Sequence, residues 1–171
     1  MTIKITPCKQ QQLTELREVS ITTYHDTFAH CNCEDLMQQY FNDALTLEKL
    51  SQEWHVVGST FYFIYVENSI AGYLKVNIDD AQTDNVATNS LEVERFYISK
   101  EFKRLGLGKQ LMAFAEQLAR ESKKTSMWLG VWEDNFPALA FYQAQGFYQV
   151  GSHPFNMGGE IQTDLLLKKD L

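Results

Sequence analysis

Seven residues, Lys103-Arg104-Leu105-Gly106-Leu107-Gly108-Lys109, combine two glycines with three cations. They follow a β-branched, apolar stretch and open a segment in which Leu107, Leu111, Phe114/Ala115 and Leu118 recur at helical spacing. A helix start presents unpaired N–H groups and the positive end of the helix dipole, and glycine brings that backbone close to a phosphate. Anion binding is the chemistry implied, with Lys103, Arg104 and Lys109 supplying charge for outer phosphates. A P-loop would need Ser or Thr after Lys109, where Gln110 stands, and a dinucleotide fingerprint would need glycine where Leu111 stands.

A second constellation is Asn135-x-x-Ala138-x-x-Phe141-Tyr142, followed by Gly146-Phe147. Asn135 can cap a helix and still present an amide, and Pro137 is tolerated in a first turn. Ala138, Phe141 and Tyr142 share one side of that helix. Phe141 suits the core, whereas Tyr142 carries a phenol that can act as an acid. Glu92 and Glu94 stand two apart on a strand and so share a face. A face that also held Phe96 and Ile98 would be partly dry and would raise a carboxyl pKa, as a general base needs. Glu94 is the candidate base, with Glu92 and a water relay as open alternatives. Asp26, Asp79 and Asp80 could attract a cationic substrate; solvation of a helix surface and a loop explains them equally well. His153 could edge such a site, although a surface role suits it as well. Trp128 and Trp132 face one side of their strand, where core packing is the default. His25, Cys31 and Cys33 lack the usual zinc spacing, so no metal is expected.

Positioning these residues takes a chain of alternating elements. The patterns predict a strand at 3–5, helices at 10–29, from an Asn32 cap to Ala44, and from Thr46 to Trp54. Strands follow at 61–66, 70–78 and 91–98, with a polar loop at 79–89 between the last two. A helix at 106–122, a strand at 125–132, a helix at 135–145 and strands at 147–155 and 161–168 complete the order. The strand–helix–strand unit at 91–132 implies a parallel pair inside a mixed sheet. No repeat, low-complexity tract or linker interrupts the 171 residues, so one α/β domain over 1–171 is expected.

Composition narrows the function. A net charge of -7 argues against non-specific nucleic-acid binding and suits a cationic partner. Residues 1–90 hold twelve acids and five bases, while residues 91–171 hold ten of each. Three cysteines cannot all pair, and no apolar leader or spanning run is visible, so a reducing, cytoplasmic setting away from membranes is expected.

The first constellation matches Arg/Gln-x-x-Gly-x-Gly/Ala, apart from Lys103 at its head, and the second matches Asn-x-x-Ala-x-x-Phe-Tyr…Gly-Phe. Together they resemble the signatures of the GNAT superfamily of N-acetyltransferases. Over about residues 3–169 the chain is similar to the PaiA type of spermidine/spermine acetyltransferase. Asp26-Thr27-Phe28, the run from Val76 to Gln82, Leu91 to Arg95, Leu129 to Glu133 and Gln162 to Leu165 carry that likeness. Phe136–Pro137 departs from the small polar pair usual after the capping Asn. The resemblance implies a twisted mixed sheet of about seven strands with helices on both faces. It also implies a splayed parallel pair that holds the arm of acetyl-CoA. The backbones of Phe96, Tyr97 and Ile98 would line that arm, and Gly130–Trp132 would face it. Lys103 to Lys109, Asn135 and Tyr142 would complete the cofactor site. Tyr142 would protonate the leaving thiolate, a backbone N–H near Ile98 would steady the oxyanion, and Glu92, Asp26, Asp79 and Asp80 would receive the amine. The implied reaction is direct attack of a primary amine of a small polycation, such as spermidine or spermine, on the thioester. Acetylation of a protein lysine or N-terminus, or of an aminoglycoside, and a non-catalytic acyl-CoA sensor are the alternatives. A homodimer is left open.

Overall fold

The computed structural model describes residues 1–30 and 32–171; Cys31 lies outside the described residues, and the grouping of His25, Cys31 and Cys33 therefore falls partly outside them. Strand β1 (Ile3–Pro7) leads into helix α1 (Leu13–Phe28), which buries Leu16, Val19, Tyr24 and Phe28. Helix α2 (Glu34–Ala44) starts one residue later than an Asn32 cap would place it. The Asn32 amide instead donates to the Phe28 carbonyl at 3.3 Å and finishes the end of α1. Thr46 does cap α3 (Leu47–Trp54), accepting from the Lys49 N–H at 3.2 Å. Strands β2 (Ser59–Val66), β3 (Ser69–Ile78) and β4 (Ser90–Ile98) follow. Next come α4 (Leu107–Glu121), β5 (Ser126–Trp132), α5 (Phe136–Ala144), β6 (Tyr148–Met157) and β7 (Glu160–Asp170).

The seven strands form one sheet in the order β1-β2-β3-β4-β5-β7-β6. Its neighbours are antiparallel except β4 and β5, which are parallel. Alternation along the strands divides the core in two. On one face Leu107, Leu111, Met112, Ala115 and Ala119 of α4 pack on Leu74, Val76, Leu91, Val93, Met127 and Leu129. On the other, Leu16, Phe28, Met37, Phe41 and Leu50 from α1, α2 and α3 pack on Phe61, Phe63, Tyr73 and Met157.

Two irregularities turn this sandwich into a site. Lys75 lies opposite Arg95 while Val76 lies opposite Val93, so Glu94 is the extra residue of a β-bulge in β4. The bulge shifts the alternation by one. Phe96 joins the α4 face with Leu91 and Val93, and Tyr97 joins the α1 face. The second irregularity is the parallel pair. It is paired only at Ser90–Ser126, Leu91–Met127 and Glu92–Trp128. Beyond those three positions β4 and β5 diverge, as the resemblance implied, and β5 stays attached to β7 through Trp132.

Candidate active site

The divergence opens a cleft of about 720 Å³ that runs through the sheet. Its α4 end is the glycine loop. Gly106 caps α4 in the left-handed region at φ 76°, which a side chain would strain, and a Cβ there would meet nothing within 4 Å. The first hydrogen bond of α4 runs from Gln110 N–H to the Gly106 carbonyl at 3.3 Å. The N–H groups of Leu107, Gly108 and Lys109 therefore precede the ladder at the positive end of the helix. Lys103, Arg104, Gly106, Leu107, Gly108 and Lys109 line the cleft, and Leu105 turns outward to solvent. An open, cationic backbone cradle of this kind fits a pyrophosphate.

Phe96, Tyr97 and Ile98 of β4 and Gly130, Val131 and Trp132 of β5 form the walls where the strands part. Asn135 caps α5, its Oδ1 accepting from the Ala138 N–H at 3.4 Å, and Pro137 sits in the first turn. Phe136, the departure noted above, lies exposed at that helix start and outside the cleft wall. One side of α5 then sets Tyr142 into the wall, its ring packed edge-on against Phe96, Phe141 and Phe147. The Tyr142 hydroxyl makes no hydrogen bond among the described residues, and burial pushes its pKa well up. It is a protonated donor across the whole working pH range.

Glu92 and Glu94 also line the cleft, in environments that differ from the expectation. They do share a face, but because of the bulge that face carries Arg95 and Tyr97 rather than Phe96 and Ile98. Lys75 Nζ donates to Glu94 Oε1 at 2.8 Å, Asn77 Nδ2 donates to the same oxygen at 2.9 Å, and Arg95 lies 3.2 Å from Oε2. Burial alone would raise the Glu94 pKa; Arg95 and Lys75 outweigh it and hold the carboxyl below the usual range. An always-ionised, ion-paired carboxylate makes a poor general base, so the raised pKa expected of Glu94 is corrected. Burial does raise the Glu92 pKa, but Asn77 and both the N–H and hydroxyl of Thr83 saturate that carboxylate. Arg95 continues the network to α3 by a two-pronged bond to Glu53 at 2.6 and 2.9 Å.

The other expected acids lie elsewhere. Asp26 sits in a separate shallow groove, where it accepts from the Lys100 N–H at 3.4 Å. Asp79 pairs with Lys124 at 2.6 Å beyond the far end of β3, and neither it nor Asp80 lines the cleft. These are corrections of position: Asp79 and Asp80 occupy the short turn directly after β3, and only Thr83, further along the loop, reaches the cleft.

Of the chamber at the α1 end, sequence reasoning singled out only His153 as an edge of an acceptor site. Tyr24 and Phe28 of α1, Tyr40 of α2, Tyr73, Tyr97, Trp132 and Phe155 form its walls. Tyr24 and Tyr40 stack at 4.5 Å, and Phe28 meets Trp132 at 5.7 Å. Burial pushes the Tyr24, Tyr40, Tyr73 and Tyr97 phenols up, so all four stay neutral. The chamber also holds Asp164 of β7 and His153 of β6, which lie opposite each other in the sheet register. Asp164 has no hydrogen bond or ion pair among the described residues, and burial pushes its pKa up to about 6, with His153 opposing. The sequence offered two signals for it: a lone acid before the run Leu165-Leu166-Leu167, and its place in the stretch from Gln162 to Leu165 that carries the family likeness.

The geometry can thus hold a phosphorylated cofactor at one end, a cation at the other, and a proton donor between them. Comparison with known proteins supplies the family. Residues 20–147 match the model of the acetyltransferase (GNAT) family. An uncharacterized N-acetyltransferase from the pepI 3' region of Lactobacillus delbrueckii subsp. lactis is 43% identical over 99% of this chain and 98% of its own. A spermidine N(1)-acetyltransferase of Thermoplasma acidophilum is 24% identical over 86% of this chain and 89% of its own. Among solved structures, the PaiA N-acetyltransferase of Thermoplasma acidophilum in complex with coenzyme A superposes with a TM-score of 0.81 over 100% of both chains at 21% identity. Signatures, splayed sheet and family match therefore converge: this chain is an N-acetyltransferase of the GNAT family, with acetyl-CoA as its co-substrate.

Proposed function

We propose that the chain transfers the acetyl group of acetyl-CoA to a primary amine of a small cationic acceptor, by direct attack of the amine on the thioester. One observation carries this: a single cleft crosses the sheet, with the phosphate cradle at Gly106 and the aromatic chamber with Asp164 at opposite ends. In this reading Lys103 to Lys109 take the pyrophosphate, and the edges of β4 and β5 bond the amide groups of the arm. Tyr142 donates a hydrogen bond to the sulfur as the C–S bond breaks, and a backbone N–H near Ile98 receives the oxyanion. The phenol pKa lies above that of a thiol, so the donor is not consumed before the step that needs it.

Spermidine or spermine is the acceptor favoured by the likeness to the spermidine N(1)-acetyltransferase of Thermoplasma acidophilum, together with the acidic first half of the chain. A second reading rests on the chamber: its walls are aromatic and Asp164 is its unengaged carboxylate. That favours one ammonium on an apolar or aromatic body, since a ring face attracts a cation and buries a stem. Thiol release from acetyl-CoA with spermidine, spermine, putrescine, an arylalkylamine, a lysine peptide and an aminoglycoside separates the two. Saturable release with the polyamines supports the first reading. Release confined to the monoamine supports the second. Tight CoA binding with no release would sink both and favour a sensor.

A further inference from the structure

Among the described acids of the cleft, Asp164 differs in having no partner. Glu92 is saturated by Asn77 and Thr83, and Glu94 by Lys75, Asn77 and Arg95. Asp164 stands opposite Trp132 of β5 and opposite His153 of β6, so it lies mid-sheet between the two strands. Gly130 precedes Trp132 by two residues and faces the same side. A Cβ on Gly130 would lie 3.6 Å from Asp164 Oδ2 and 3.8 Å from His153 Nε2. The two side chains make no ion pair with each other. The place over Gly130 is therefore within reach of both and filled by neither.

The imidazole has a defined orientation. His153 Nδ1 lies 3.1 Å from the Pro154 carbonyl, which can only accept, so Nδ1 carries the hydrogen. Nε2 is then the ring nitrogen that faces the place over Gly130. An unpaired carboxylate oxygen beside an open place, with an imidazole nitrogen on the other side, suits a donor with several N–H bonds and a positive charge.

We propose that the acceptor's ammonium group sits over Gly130, between Asp164 and His153, and that Asp164 takes its proton. This assignment rests on the acetyl-transfer reading above. The Asp164 carboxylate removes one N–H proton, and the freed lone pair forms the C–N bond at the thioester carbonyl carbon. The C–S bond breaks and its electron pair leaves with the sulfur. A second nitrogen proton ends on that sulfur through the Tyr142 hydroxyl, which gives one proton and regains one. Asp164 returns its proton to solvent, so an ammonium and a thioester become an amide, a thiol and one free proton. The raised Asp164 pKa of about 6 fits a base that is ionised at neutral pH yet willing to accept. The groups facing Asp164 are His153 on β6, the neutral Tyr24 and Tyr40 phenols on α1 and α2, and the Arg95–Glu94 pair across the cleft on β4. Of the strand next to it, Gly130 and Trp132 bring no charge.

The test uses the full chain and the best amine of the panel. Asp164→Asn should lower kcat/KM by about 100-fold or more, consistent with loss of a general base. The unaltered chain should show an acidic limb near pH 6, and this substitution should abolish it while CoA binds in calorimetry as before. Gly130→Ala places its methyl at ordinary contact distance, so the fold tolerates it. It should raise the amine KM about tenfold and leave the acetyl-CoA KM within twofold. Retention of the acidic limb in Asp164→Asn, at any level of activity, would overturn the assignment. So would an unchanged amine KM in Gly130→Ala. If the unaltered chain turns over no amine at all while binding CoA, the acetyl-transfer reading falls first and this assignment with it.

Discussion

The two ends of the cleft are built by different means. The cradle at Lys103–Lys109 is one continuous segment that offers backbone N–H groups, a helix end and a left-handed glycine. The chamber is assembled from α1, α2, β3, β4, β5, β6 and β7 and works through side chains. Backbone recognition is local and written in consecutive residues. Side-chain recognition is distributed, and it can be rebuilt around a new acceptor without touching the cradle. On the proposed reading, the phosphates of the cofactor and the acceptor answer to separate sets of residues, with Tyr97, Gly130 and Trp132 lying between the two.

Substitutions can break or sharpen that separation. The largest effect is expected from Glu94→Gln. It leaves Lys75 and Arg95 sharing Glu53 in a largely buried network, at a cost of about 2–3 kcal/mol in denaturant unfolding. The molecules that remain folded should keep their acidic limb near pH 6; its disappearance would return the base to Glu94 and join the two halves of the mechanism. Next in size, Tyr142→Phe should reduce kcat by about 10- to 100-fold with the Kd for CoA unchanged. An untouched kcat would remove the phenol from the chemistry. Gly106→Val should raise the KM for acetyl-CoA by about tenfold, because the cradle then carries a strained φ, and should leave the amine KM alone. A parallel rise in both constants would show that the ends are coupled.

A smaller effect concerns stability. Asp164 has a pKa of about 6 in the folded protein against 3.8 for an unperturbed aspartate. Ionising it inside the fold therefore opposes folding. That penalty is absent below the unperturbed value and complete above about pH 6. Replacing Asp164 with Asn removes it, so Tm should rise by about 2–4 °C at pH 8 and stay level near pH 4. A variant that is dead but more stable would mark Asp164 as a residue kept for function. The smallest effect belongs to Asp79→Asn, which loses an exposed pair with Lys124 and should change unfolding by under about 1 kcal/mol and the amine KM not at all.

How much was legible in the sequence follows from the same contrast. The cradle, the Asn135 cap, Tyr142 and the order of strands and helices all rest on near neighbours in the chain, and local pattern suffices for them. The bulge at Glu94 left no mark, because it exists only relative to the register of β3. It reversed the face on which Phe96 and Ile98 were expected and so removed the dry environment argued for Glu94. Asp164 and His153 were hard to see as a pair because β6 and β7 meet there through an antiparallel ladder. Asp26, Asp79 and Asp80 misled because acidity in sequence says nothing about which end of a strand a loop leaves from.

The three paired positions between β4 and β5 have a consequence for the life of the molecule. They make a seam, with four strands on one side and three on the other. A co-substrate arm bound along the open edges, as proposed, would act as a suture, and its binding energy would add to the resistance of the seam to opening. Proteases that attack transiently opened chains would then clear the protein fastest when acetyl-CoA and CoA are both scarce. Such coupling would tie the amount of enzyme to the supply of the acetyl donor with no regulator other than the sheet itself.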